Sequence, residues 1–79
     1  MQLNECTMNP DHRETIQRLF ALSAMLSSRI ESTSVSGQSH SLQRNEYEVF
    51  AQELQELAGI LNSMAAAVLG IIQVDRAEG

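Results

Sequence analysis

The chain has 79 residues, 10 acidic and 5 basic side chains, a net charge of -5 and one cysteine. That length holds a single domain whose core is of marginal size, and a lone cysteine excludes an internal disulfide and a cysteine-based zinc site. Every basic residue is an arginine and no two are adjacent, which sets nucleic-acid binding aside, because displacing counterions from phosphates takes clustered cations.

Residues 1–9 show no sustained periodicity and neither a basic start nor an apolar leader, so they read as a flexible arm rather than a secretory signal. Cys6 falls in this arm as an incidental free thiol, and the expected location is cytoplasmic. Helix-start signals follow. Asn9 before Pro10 is a cap with proline at the first helical position, and Asp11 with Glu14 offers an alternative capping box. Ile16, Leu19, Phe20, Leu22, Met25, Leu26 and Ile30 then recur at helical spacing, which predicts a first helix over about residues 10–31.

The stretch STSVSGQSHS is dominated by serine, whose hydroxyl competes for backbone hydrogen bonds, so residues 32–41 read as a linker. A second helix is expected over about residues 42–75, starting near Ser41 or at Asn45, where Glu48 completes a capping-box signature. Along it Tyr47, Phe50, Leu54, Leu57, Leu61, Met64, Val68 and Ile71 alternate spacings of three and four, a heptad seam. Ala51, Ala58, Ala65 and Ile72 flank the seam at seven-residue intervals. The predicted fold is therefore all-α: an antiparallel two-helix hairpin with heptad-like packing, a flexible amino-terminal arm (1–9) and a longer second helix, the hairpin domain covering residues 10–79.

After Ala58 the second helix is apolar around most of its circumference. It is too short and too often interrupted, by Asn62, Ser63 and Gln73, to read as a membrane span. A first helix ending at Glu31 covers the second only to about Met64, so the segment from Ala65 to Val74 is expected to overhang. Burying one Val, Leu or Ile side chain is worth roughly 1.5–3 kcal/mol, so a protein partner, or a second copy in a homodimer, is expected to cover it. Gly59 and Gly70, inside the helix, suggest close approach of another backbone.

No nucleophile elbow, phosphate loop or metalloprotease signature is present, so no enzymatic activity and no cofactor are expected. His12 and His40 lack acidic neighbours at ligand spacing and read as surface residues without a metal.

The segment Phe50–Val74, FAQELQELAGILNSMAAAVLGIIQV, resembles the carboxy-terminal helix of the TraM antiactivators and of the smaller QseM-type antiactivator of rhizobial mobile elements. There a Leu-Asn pair is followed by an apolar run, a Leu-Gly pair, and an isoleucine-containing end with a closing valine. Leu61 and Asn62, Leu69 and Gly70, Ile72 and Val74 stand in those places. The plan of arm, shorter helix, polar linker and longer helix is similar too. The resemblance implies an antiactivator that binds and sequesters a LuxR/TraR-type quorum-sensing transcriptional activator, and in QseM-like members a second activator as well. It would block DNA binding and so repress conjugative transfer.

On this reading Leu61, Met64, Val68, Leu69, Ile71, Ile72 and Val74 contact the partner, while Glu46, Glu53 and Glu56 form a charged rim that orients it. The alternatives are a self-assembling helical hairpin, such as a structural or secretion subunit, and a small secretion chaperone or antitoxin.

Overall fold

The computed structural model describes residues 8–78. Two helices, α1 (Pro10–Ser36) and α2 (Arg44–Glu78), run antiparallel and are joined by residues 37–43. The arm expected over residues 1–9, with Cys6, lies almost wholly outside the described residues; Met8 is half-buried.

Local chemistry explains three of the four helix ends. At the start of α1, Asn9 is the cap: its side-chain oxygen accepts from the Asp11 amide at 2.8 Å and its carbonyl from the Arg13 amide at 2.9 Å. Pro10 occupies the first turn, where its missing N–H costs nothing. The other end of α1 differs from expectation, for the helix continues through the serines to Ser36. Serine's low propensity is a weak bias that packing overrides. Thr33, only 8% exposed, turns into the interface and donates its hydroxyl to Glu53 on α2 at 3.2 Å.

The second helix starts at neither expected cap. Gln43 takes that place, and Glu46, three residues on, reaches back to accept the Gln43 amide at 2.8 Å, the returning half of a capping box. The connection is correspondingly tight, with the Tyr47 hydroxyl donating to the Ser39 carbonyl across it at 3.0 Å.

The helices stay paired from the loop to the level of His12 and Asp75. Thr33 meets Glu53, Ser23 lies 3.4 Å from the Met64 sulfur, and His12 meets Asp75, so steps of ten or eleven residues along α1 match eleven along α2. This corrects the expected overhang. The extra length of α1 and the shorter connection bring its amino end level with Asp75, and the segment from Ala65 to Val74 does have a helix beside it.

What that helix covers is one stripe. Among the described residues Leu26, Leu57 and Val68 are the buried apolar ones, and no described side chain is sealed off completely. Phe50, Leu54, Leu61, Met64 and Ile71 of the heptad seam are half-buried, with Tyr47 exposed at its loop end. The resulting rod measures 60 × 17 × 16 Å with a radius of gyration of 18.0 Å, against about 12 Å for a compact domain of this length. Two helices form a seam but cannot enclose a core.

Gly59 and Gly70 do not sit at a close approach within the chain, since a methyl group placed on either meets nothing within 4 Å. Without a packing demand each costs the helix interior about 1 kcal/mol relative to alanine. Gly59→Ala and Gly70→Ala are therefore expected to stabilise the hairpin by up to about 1 kcal/mol each, read from urea unfolding. Loss of stability in either variant would reveal a contact on that outer side.

Candidate partner-binding surface

With about 100° between successive residues of a helix, α2 leaves two long flanks on either side of the buried seam. On the first, α1 and α2 enclose a groove of about 340 Å³ lined by Phe20, Ser23, Leu61, Met64, Ala65, Val68 and Leu69. Phe20 and Leu69, each 62% exposed, stand at its edges. Nearer the loop the same flank holds a hollow of about 290 Å³ between Thr33, Ser34 and Gly37 on one side and Tyr47, Phe50, Ala51 and Leu54 on the other. The opposite flank carries a wider trough of about 570 Å³ lined by Arg29, Val49, Gln52, Glu53, Glu56, Leu57 and Ile60.

The seven residues expected to contact a partner are divided by this geometry. Val68, at 9% exposure, belongs to the core seam, with Met64 half-buried beside it. Leu61 and Leu69 line the first groove, and helical spacing puts Ile72 on that flank. Ile71 and Val74 fall by the same spacing toward the opposite flank; Ile71 is half-buried and Val74 exposed.

The expected acidic rim is largely occupied within the chain. Glu46 closes the α2 cap, and Glu53 accepts from Thr33 with the Arg29 guanidinium 3.7 Å away. Glu56 is left without an ion pair among the described residues. Phe20, in the sequence one member of the α1 apolar pattern, and Ser23, which lies outside that pattern, enter the groove from the opposing helix. The signal for Phe20 lay in the width of the pattern, which runs from Phe20 to Leu22 and exceeds what one facing helix can bury; nothing in the sequence singled out Ser23.

A polar clasp closes the end of the rod away from the loop. Asp75 Oδ1 accepts from the backbone amide of Asn9 at 3.0 Å and lies 2.8 Å from His12 Nδ1, while Glu78 is 3.9 Å from the other ring nitrogen. His12 and Asp75 are both largely covered, at 23% and 16% side-chain exposure. The hydrogen bond with His12, then the Asn9 amide, hold the Asp75 carboxyl below the usual carboxylate range; the charges of His12 and Arg13 add to this, and partial burial opposes it. His12 is thus tied to Asp75 rather than standing as a free surface histidine. No group of three or more ligating side chains suited to a metal occurs among the described residues.

By length and composition α2 could cross a membrane, and 11% of its most apolar stretch is buried in the hairpin. The same composition suits a helix that buries its flanks against protein. Comparison with family models, curated proteins and solved structures finds no match to this chain.

Proposed function

We propose that this chain is a cytoplasmic, non-enzymatic antiactivator that sequesters a LuxR/TraR-type transcriptional activator through the carboxy-terminal half of α2, blocking its DNA binding and repressing conjugative transfer. The observation that carries the reading is Leu69. It is the leucine of the Leu-Gly pair in the segment resembling the TraM and QseM antiactivators, and it stands 62% exposed at the edge of an apolar groove. An exposed leucine beside a preformed apolar cleft offers a partner a side chain whose burial is worth roughly 1.5–3 kcal/mol. Val74, exposed near the end of the same segment, extends the contact.

With Glu46 and Glu53 engaged internally, the rim reduces to Glu56 and the net charge of -5. These favour the approach of a basic partner and contribute to association rate more than to affinity. The test is a gel shift with a LuxR-type activator, its signal molecule and its operator. Added hairpin in molar excess is expected to abolish the shifted band; undiminished DNA binding would overturn the proposal.

A second reading, a self-assembling hairpin with a structural or secretion role, is supported by apolar residues on both flanks. A secretion chaperone or antitoxin role has no comparable support in the geometry.

A further inference from the structure

The groove has a cationic end. Phe20 and Leu69 stand at its edges; Arg13 lies one heptad before Phe20 on α1 and Arg76 one heptad after Leu69 on α2, so helical spacing sets each arginine on the stripe of its edge residue. Because the helices are antiparallel, both arginines fall at the clasp end. Both are exposed, and neither makes an ion pair among the described residues. The acids of that end are turned elsewhere: Asp75 and Glu78 face His12, and Glu14 pairs with Arg18. We infer that the groove is the docking site of this chain's own amino-terminal segment, with Leu3 between Phe20 and Leu69 and Glu5 against Arg13 and Arg76.

Position, reach and charge single out this occupant. The amide of Asn9 is 3.0 Å from Asp75 Oδ1, so the chain before it leaves α1 at the junction with α2, and Met8 is half-buried there. From Asn9 back to Leu3 a chain extends up to about 20 Å at 3.3 Å per residue. Phe20 lies about 16 Å along α1 from Asn9 at 1.5 Å per residue, within that span. Glu5, reaching about 13 Å, passes the level of Arg13, which is about 6 Å from Asn9. In residues 1–8, MQLNECTM, Glu5 is the one charged side chain and Leu3 the one branched aliphatic. A chain with a net charge of -5 attracts an acidic segment at few places, and the end framed by Arg13 and Arg76 is one of them. The tether also places the segment at an effective concentration on the order of millimolar.

The docked segment covers Phe20 and Leu69. On the antiactivator reading, on which this consequence rests, it competes with the regulator for Leu69 and tunes the inhibitor's affinity. A segment seated in nine of ten molecules weakens regulator binding about tenfold.

The test of docking needs no regulator, so its outcome is independent of the antiactivator proposal. Cys6 is the single thiol and takes a nitroxide spin label in the full chain, whose amide signals are followed by NMR against the reduced label. Broadening is expected to be stronger at Phe20 than at Arg18, and at Leu69 than at Ile71, although Arg18 and Ile71 stand nearer the clasp on the opposite flank. Leu3→Ser and Glu5→Lys are each expected to remove the difference without loss of helical circular dichroism. Equal broadening of the two flanks in wild type would overturn the inference and leave the groove to another protein. So would a difference undiminished in both variants. Broadening that passes from a labelled chain to an isotope-enriched unlabelled one would overturn it too, by assigning the segment to a second copy. In the gel shift, Leu3→Ser is expected to inhibit at about one-tenth the wild-type concentration, and equal potency would overturn the competition.

Discussion

Val68→Asp is expected to unfold the hairpin, whereas Leu69→Asp, one residue away, is expected to leave it folded and abolish inhibition of the regulator. Val68 is 9% exposed and faces α1 across the seam. A carboxylate there is buried with no cation beside it, and removing the valine opens a gap in a core of three apolar residues. The combined cost is about 3–5 kcal/mol, against a total of roughly 4–12 kcal/mol for a chain of this length at 0.05–0.15 kcal/mol per residue. Leu69 projects into solvent, so a charge costs little until a partner approaches. It must then be desolvated, and a hot-spot loss of 2 kcal/mol or more, about 30-fold in affinity, follows. Circular dichroism and the gel shift separate the two effects. Should Leu69→Asp inhibit as well as wild type, Leu69 is no anchor; should Val68→Asp keep full helicity, the seam is not the core.

The Asp75 clasp is expected to make stability fall in acid over a definite range. A carboxyl held below its ordinary value of about 3.9 by contacts in the fold stabilises the folded state above that value. The contribution disappears as pH falls from about 4 through the lowered value, because the folded form then takes up the proton the unfolded form already carries. Asp75→Asn retains an acceptor for the Asn9 amide but removes the charge facing His12. Thermal midpoints of wild type and Asp75→Asn are therefore expected to differ near neutral pH and to converge below about pH 4. A constant difference across the range would show that the charge on Asp75 does not stabilise the fold. Hydrogen exchange should place the effect at the ends, in the first turn of α1 and the last turn of α2, with residues around Leu57 unchanged.

The hairpin and its seam were legible because they depend on periodicity, and Leu57, Leu61, Met64, Val68 and Ile71 recur at the spacing a facing helix requires. Boundaries were less legible, for two physical reasons. The serines of STSVSGQSHS oppose helix only weakly, and Thr33 gains a tertiary partner in Glu53 that no local rule contains. The second cap uses Gln43 and Glu46, while Asn45 and Glu48 have the better capping composition. Those few residues decided where the uncovered surface lies. With α1 ending at Glu31 the exposed part of α2 is an overhang; with α1 reaching Ser36 it is a pair of flanks running the length of the rod.

The partner residues divide for a related reason. A sequence shows that Val68 and Leu69 are both apolar, but the 100° between neighbours sends one into the seam and the other out of it. Phe20 and Ser23 could be placed against Leu61 and Leu69 only once the register was known, and the register rests on contacts such as His12 with Asp75, 63 residues apart.

That spread of separations also orders the folding reaction. Thr33 and Glu53, near the loop, are 20 residues apart; Ser23 and Met64 are 41 apart; His12 and Asp75 are 63 apart. The entropy lost on closing a chain segment grows with its length, so the hairpin is expected to zip from the loop outward, with the contacts around Tyr47 and Thr33 forming early and the clasp last. Unfolding is expected to begin at the clasp. The first segment to part from α1 is then the end of α2 that contains Ile71 and Val74, while the helices near the loop are still joined.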